Sequence, residues 1–248
     1  MKFGYFDDAR REYVIITPAT PLPWINYLGS EDFLGMISNT AGGYCFYRDA
    51  KLQRILRYRY NAVPGDQGGR FYYIKEAGKK AWNPGFLPTK TELDRYECRH
   101  GMGYTTFDSA KDGLKAKMTF FVPVGENCEI HDLVLTNETG EVKTVHVYGV
   151  MEWCLWNAVD DANNYQRNSI SPNLRLRTTS FITRQNTANA ETIMPSTVST
   201  HPLQAGIRTG IHSWDIWVTG PTRSWYVKSE ALSPTSPAGI PSAATIWK

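Results

Sequence analysis

The main pattern along the chain is the alternation of apolar and polar residues over short stretches, which is typical of β-strands with one buried face. Such stretches recur through the first 168 residues, and Gly, Pro and Asn residues separate them. The predicted strands are Glu12–Thr17, Gly43–Tyr47, Arg70–Lys75, Glu92–Thr106, Lys115–Val122, Cys128–Thr136 and Lys143–Trp153. Many short strands with few helical patterns predict an all-β fold, either an antiparallel sandwich or a barrel.

Three of these stretches allow a more detailed prediction than the rest. Gly101 and Gly103 interrupt the stretch Glu92–Thr106, which predicts a bulge or a turn within it. The turn-forming residues 137–140 lie between Cys128–Thr136 and Lys143–Trp153. We therefore predict that these last two strands pair with each other.

The sequence changes character near residue 168. Residues 169–248 hold only 3 of the 24 acidic residues, and Ser, Thr and Pro supply 30 of these 80 positions. No sustained period of 2 or 3.6 residues is present there, which predicts an irregular C-terminal tail. A solvated linker is an alternative interpretation, but Trp214, Trp217, Trp225 and Trp247 are unusual residues for a linker. We predict two regions, 1–168 and 169–248.

Composition excludes several classes of partner. The net charge is only +3 and no run of Lys and Arg exceeds two residues, so we expect no nucleic-acid partner. The N-terminus has no apolar signal segment, and no stretch approaches the roughly 18 apolar residues of a membrane span. We expect a cytoplasmic protein without a membrane partner. Its four cysteines, Cys45, Cys98, Cys128 and Cys154, are scattered and are predicted to be buried thiols, not a metal site or disulfides.

Known catalytic motifs are absent from the sequence. His100, His131 and His146 lie on predicted strands at unrelated spacings, which favours structural histidines over ligands or bases. Asp7-Asp8 and Asp160-Asp161 are adjacent, and adjacent side chains on a strand point to opposite faces, so neither pair forms an acid–base pair unaided. In loops, such pairs are usually caps or solvated turns.

The segment 163–168, NNYQRN, combines amides, an aromatic ring and a guanidinium just beyond a predicted strand end. Planar donors beside an aromatic face suit sugar hydroxyls. The residues alone favour an ordinary polar loop over a sugar-binding one.

Two longer stretches are more specific than any short motif. They are Met36–Ala50 (MISNTAGGYCFYRDA) and Met151–Asn168 (MEWCLWNAVDDANNYQRN). Together with the rest of residues 1–168, they closely resemble the N-terminal region of the cellobiose phosphorylases of glycoside hydrolase family 94. The resemblance implies a supersandwich of the galactose-mutarotase type, which would be incomplete in this chain.

The resemblance also implies a chemistry. The family splits cellobiose with inorganic phosphate and inverts the anomeric carbon, using one general acid while phosphate itself attacks from the opposite face. That acid is an Asp of a C-terminal (α/α)₆ barrel, and no residue of this chain matches it, so we expect no catalytic residue here. The resemblance implies phosphate as co-substrate, no cofactor, no metal, a β-linked glucose disaccharide as substrate, and a homodimer.

Substrate contacts follow from the same resemblance. The family loop that carries a Gln-Arg pair reaches toward the acceptor sugar, which makes Gln166 and Arg167 the candidate substrate-binding residues. Arg suits this role because its rigid donors can span two hydroxyls.

The resemblance ends abruptly after Asn168. Read one nucleotide earlier, with permissible codon choices, Phe181–Met194 gives a family-like string, and the same shift does so for Pro195–Trp217. We therefore predict a frameshift between Asn168 and Ser180. Two other functions stay open: a carbohydrate-binding β-sandwich without enzymatic activity, and a structural sandwich that contributes to dimerisation.

Overall fold

The computed structural model describes residues 2–59, 68–141 and 143–164, together with six strands between residues 173 and 231. Strands dominate this part of the chain, and a single short helix, α1 (Ala158–Asn163), is found in it. The first strands are β1 (Gly4–Asp7), β2 (Glu12–Ile15), β3 (Ile25–Ser30), β4 (Phe33–Ser38), β5 (Gly43–Tyr47), β6 (Arg54–Leu56) and β7 (Arg70–Glu76). They are followed by β8 (Arg95–Gly101), β9 (Tyr104–Lys111), β10 (Leu114–Phe121), β11 (Cys128–Asn137), β12 (Lys143–Met151) and β13 (Trp153–Trp156).

The last strands are β14 (Asn173–Arg177), β15 (Ser180–Arg184), β16 (Ser196–Thr200), β17 (Ala205–Arg208), β18 (Ile211–Val218) and β19 (Thr222–Ala231). All paired strands are antiparallel. The large sheet has the order β1-β2-β8-β9-β10-β11-β19-β16-β15-β14. A second sheet has the order β17-β18-β12-β7, and a third has the order β13-β6-β5-β4-β3. The predicted all-β, antiparallel fold is confirmed.

Strand alternation agrees with the sequence pattern in detail. On β10, Leu114, Ala116, Met118 and Phe120 are buried, and the residues between them are more exposed. The predicted stretch Glu92–Thr106 contains the turn between β8 and β9, where Gly103 adopts a positive φ of 79°. A glycine suits this position because a side chain would strain that backbone conformation.

One predicted pairing is wrong, because β11 and β12 belong to different sheets. β11 pairs with β10 and β19, whereas β12 pairs with β7 and β18. The turn itself forms: the Asn137 side chain accepts a hydrogen bond from the Thr139 amide at 3.0 Å and donates one to the Glu141 carbonyl at 2.6 Å. This turn carries the chain from the large sheet to the second sheet. β11 does not pair with a strand of the second sheet, since its buried polar side chains contact those of β7 across the core.

The core contains a buried ion pair that connects all three sheets. The guanidinium of Arg70 on β7 and the carboxylate of Glu129 on β11 are both inaccessible to solvent. Nη2 of Arg70 donates to Oε2 of Glu129 at 2.6 Å, Nε pairs with Oε1, and Nη1 donates to the carbonyl of Met36 on β4 at 3.0 Å. A buried charge requires such complete pairing, because an unpaired charge in the core is strongly unfavourable.

Two further side chains extend this pair into a hydrogen-bond network. Nε2 of His131 lies 2.7 Å from Oε1 of Glu129, and its Nδ1 lies 2.6 Å from the hydroxyl of Tyr72. Burial lowers the pKa of His131, so the ring is neutral. Since a carboxylate only accepts, Nε2 carries the proton and Nδ1 accepts from Tyr72. Burial alone would raise the pKa of Glu129, but Arg70 and His131 outweigh it and lower that pKa to about 2.

The C-terminal region differs from its prediction. An irregular tail is expected from the sequence, but the described residues beyond 172 form strands β14–β19. β19 pairs along β11 and β18 pairs along β12. Without them, each of these strands would present an unpaired edge, and β18 and β19 supply the β-branched and aromatic residues that favour strands. The division at residue 168 and the frameshift stay predictions.

We expect Arg70→Met to lower the free energy of unfolding by roughly 3–5 kcal/mol, because it leaves the Glu129 carboxylate buried without its partner. The double variant Arg70→Met/Glu129→Met should recover part of that loss. Chemical denaturation followed by far-UV circular dichroism measures both. The control is Asp32→Asn, which removes an ion pair with Arg48 whose side chains are 60% and 41% exposed, and should change stability by less than about 1 kcal/mol. Equal effects for Arg70→Met and the control would contradict the assignment.

Under limited trypsin digestion, we expect the chain to be cut beyond residue 168 before the region of β8–β12 is cut. The predicted frameshift disrupts the agreement between local sequence and fold in the tail, so its strands should open more readily. Mass spectrometry of the fragments over time gives the order of cleavage. A tail that survives as long as residues 1–168 would argue against the frameshift.

Candidate functional site

The two substrate contacts that the resemblance implies, Gln166 and Arg167, lie outside the described residues. The described chain approaches them through helix α1, which ends at Asn163. Asn157 caps this helix, since its side-chain oxygen accepts hydrogen bonds from the amides of Val159 and Asp160 at 3.0 and 3.1 Å. The structure therefore defines what holds the chain just before the candidate segment.

Helix α1 is anchored by an ion pair between residues far apart in sequence. Nε of Arg57 donates to Oδ2 of Asp161 at 2.8 Å, and Nη2 donates to Oδ1 at 2.6 Å. Asp161 is buried, and burial alone would lower the pKa of Arg57, but Asp161 outweighs it and raises that pKa. The Ala158 amide also donates to the Lys51 carbonyl at 2.7 Å. The predicted cap or solvated turn at Asp160-Asp161 is thus partly corrected, because Asp161 is a buried anchor.

A cleft of about 400 Å³ opens beside this anchor. Phe71, which is buried, and Tyr73, which is half-buried, come from the face of β7 opposite to the face that carries Arg70 and Tyr72. Val150 of β12 lies directly across from Phe71. The full lining is Arg57, Tyr58, Arg59, Gly68, Gly69, Phe71, Tyr73, Pro88, Val150 and Glu152.

The ring of Tyr58 packs against an aromatic residue that does not line the cleft. It packs against Tyr44 with ring centroids 5.7 Å apart, and the guanidinium of Arg54 lies 3.7 Å from the centroid of Tyr44. Gly68 allows the backbone to approach closely, because a Cβ there would lie 2.7 Å from the carbonyl oxygen of Arg57. These contacts fix one wall of the cleft before any ligand arrives.

Sequence reasoning missed this cleft. Its residues come from β7, β12, the segments that follow β6 and precede β7, the loop between β7 and β8, and the link between β12 and β13, which no short motif connects. The one available signal was the alternation in Arg70–Lys75, which places Phe71 and Tyr73 together on one face.

Two of the predicted structural histidines are fully engaged. Nε2 of His100 donates to the Trp24 carbonyl at 3.1 Å, and Nδ1 lies 3.0 Å from the hydroxyl of Thr105. Burial lowers the pKa of His100 to about 4. His131 belongs to the core network described above, and His146 stacks on Tyr148 with ring centroids 6.5 Å apart. The structural interpretation is therefore supported over a catalytic one for His100 and His131.

Other sequence-predicted groups have similarly structural surroundings. Oδ2 of Asp7 accepts from Nη1 of Arg99 at 3.1 Å. All four cysteines are buried and unbridged, as predicted.

Within the described ranges, no group of three or more His, Cys, Asp or Glu side chains is arranged to hold a metal ion. No helix among the same residues is long and apolar enough to cross a membrane.

A comparison with family models identifies the domain. Residues 11–213 match the model described as glycosyl hydrolase 94, supersandwich domain. The chain belongs to this family. The matched range includes every described residue of the cleft.

Relatives of this supersandwich domain are carbohydrate enzymes by name. The chain is 38% identical to N,N'-diacetylchitobiose phosphorylase of Vibrio proteolyticus over 169 residues, which are 67% of this chain and 21% of that protein. It is 34% identical to solabiose phosphorylase of Paenibacillus borealis over 157 residues, 62% of this chain and 20% of that protein. The chain thus spans about a fifth of the length of these relatives.

A solved structure shares the fold. The chain superposes on a putative kojibiose phosphorylase from human microbiome with a TM-score of 0.57 and 9% sequence identity, covering 94% of this chain and 33% of that one. At this identity, the likeness supports the supersandwich architecture alone.

We expect the free energy of unfolding to fall as the pH drops from about 6.5 to about 4, because of His100. Its pKa in the folded state is about 4, so below pH 6.5 the unfolded chain binds a proton that the folded chain does not. His100 should contribute roughly 3 kcal/mol to this fall. Urea denaturation at several pH values measures the slope for the wild type and for His100→Gln, which should be flatter.

Thr105→Val is the matched control, since it removes a hydrogen-bond partner of His100 and keeps the buried imidazole. It should retain most of the pH dependence. Identical slopes for His100→Gln and the wild type would show that this imidazole does not cause the fall.

Proposed function

We propose that this chain is the supersandwich part of an inverting disaccharide phosphorylase, which converts cellobiose and phosphate into glucose 1-phosphate and glucose. The observation that carries the proposal is the family match over residues 11–213. Relatives at 34–38% identity are phosphorylases of disaccharides by name, which supports the same reaction class.

In this proposal, the chain does not catalyse the reaction by itself. Inverting phosphorolysis needs a general acid at the glycosidic oxygen, while phosphate attacks the anomeric carbon from the opposite face. Among the described residues that line the cleft, Glu152 is the one carboxylate, and it is exposed to solvent. The acid would be supplied by the barrel that the resemblance implies.

Cellobiose is proposed as the substrate because Met36–Ala50 resembles the cellobiose enzymes. Diacetylchitobiose and solabiose, which the relatives' names give, are the natural competitors. They differ from cellobiose in their substituents or linkage, so a substrate panel separates the three.

A carbohydrate-binding domain without enzymatic activity is the second candidate. The cleft beside Arg57, with its aromatic and polar lining, favours it.

The homodimer stays a prediction in either case, and light scattering after gel filtration tests it. We also retain the frameshift as a proposal: the aligned length of 169 residues in the Vibrio proteolyticus relative is close to the length of the predicted first region, whereas the family match continues to residue 213.

We expect no release of glucose 1-phosphate from cellobiose by the purified chain above a control without protein. Loss of a general acid alone typically lowers a rate by ~10²–10⁴. The positive control is the enzyme expressed from the frame-corrected gene extended downstream. This enzyme should act on cellobiose faster than on diacetylchitobiose or solabiose. Activity of the present chain would contradict its non-catalytic role, and a preference for another disaccharide would replace cellobiose.

In that frame-corrected enzyme, Arg167→Ala should weaken the use of glucose as acceptor in the reverse reaction. Leaving a polar substrate group without its partner is worth roughly 1–3 kcal/mol of binding, so the KM for glucose should rise several-fold or more. Gln166→Ala should act in the same direction. The control is Arg95→Ala, which removes a partly exposed ion pair with Asp108 away from the cleft. Unchanged acceptor kinetics would remove Gln166 and Arg167 from the site.

A further inference from the structure

The charges of the described residues around the cleft cancel. Both carboxylate oxygens of Asp161 are engaged by Arg57, so this guanidinium carries a matched counter-charge. Arg59 and Glu152 are exposed and of opposite sign. Among the described residues these four groups sum to zero, so they give the cleft no net attraction to a phosphate or carboxylate ligand.

The remaining lining combines aromatic surface with hydrogen-bonding groups. Tyr73 is half-buried on the same face of β7 as the buried Phe71, and Val150 extends the apolar surface. Tyr58, packed on Tyr44, contributes a ring and a hydroxyl. An apolar wall with a few placed donors and acceptors is the usual composition of a site for a small uncharged ligand.

A pyranose ring meets both requirements. Its C–H face packs on aromatic carbon, and its hydroxyls both donate and accept, as an Arg–Glu–Tyr lining requires. The cleft volume of about 400 Å³ is within the range of small-molecule sites. The two backbone glycines, Gly68 and Gly69, leave part of the wall without side chains.

We infer that this cleft is a binding site for an uncharged sugar, formed by the supersandwich domain alone. The choice of a sugar among uncharged polyols rests on the proposed function. Binding itself does not require phosphorolysis, because every residue named for it lies on the present chain.

The test is a titration of the purified 248-residue chain with glucose and with cellobiose, followed by ligand-observed NMR and calorimetry. Mannitol, a linear polyol without a ring face, and inorganic phosphate are the comparison probes. We expect glucose or cellobiose to bind, mannitol to bind at least several-fold more weakly, and phosphate not to compete.

The decisive variant is Tyr73→Ala, which should weaken sugar binding roughly tenfold through loss of the aromatic surface. Tyr73→Phe keeps that surface and should stay within about twofold of the wild type. Tyr27→Ala is the matched control, since Tyr27 is 69% exposed on β3 and does not line the cleft. Glu152→Gln should leave the cleft positively charged and enhance phosphate binding.

Four results would overturn the inference. They are the absence of sugar binding by a chain with a β-type circular dichroism spectrum, tighter binding of phosphate than of glucose, equal losses for Tyr73→Ala and Tyr27→Ala, and loss of binding by a folded Tyr73→Phe protein. Each variant is first compared with the wild type by thermal unfolding. Failure of the proposed phosphorolysis in the extended enzyme would leave the binding result standing, so the two proposals fail separately.

Discussion

The buried ion pair of Arg70 and Glu129 fixes how the three sheets meet. Arg70 belongs to the second sheet, Glu129 to the large sheet, and the carbonyl of Met36 that Arg70 also contacts belongs to the third. Two charges without access to solvent are tolerated only if their partners stay in place, so sliding of any sheet would break hydrogen bonds that water cannot replace. The space is also tight: a Cβ on Gly35 would lie 3.1 Å from Oε2 of Glu129 and 3.3 Å from Nη2 of Arg70.

β7, the strand that carries Arg70, connects the core to the cleft. On β7, alternate side chains point to opposite faces, so Arg70, Tyr72 and Ile74 face the core, whereas Phe71 and Tyr73 face the cleft. A shift of β7 by one residue would exchange the two sets. The ion pair thus also fixes the register that places Phe71 and Tyr73 in the lining of the cleft.

The sequence predicts which residues form strands better than it predicts which strands pair with each other. Alternation and turn residues are local, which is why Gly43–Tyr47 is predicted with its observed bounds. Pairing depends on contacts between distant residues, and the predicted pairing of β11 with β12 therefore failed although the turn at Asn137 formed. The cleft is equally hard to predict from the sequence, since Arg57 and Asp161 are 104 positions apart and no spacing rule relates them. Family resemblance supplied the fold type and the candidates Gln166 and Arg167, which local patterns alone left as an ordinary loop.

The strands beyond residue 172 show what strand pairing does and does not require. β11 and β12 each offer one edge to the tail, and a backbone ladder forms with any segment of sufficient β-propensity, because its hydrogen bonds involve no side chains. Reading frame changes side chains but leaves the backbone groups of every non-proline residue intact. Strands are therefore compatible with both an in-frame and a shifted tail. What distinguishes the two is the fit of the side-chain pattern to the faces of the sheets, which determines how cooperatively those strands hold. For this reason resistance to local opening, and not strand content, decides whether the tail is a native part of the domain.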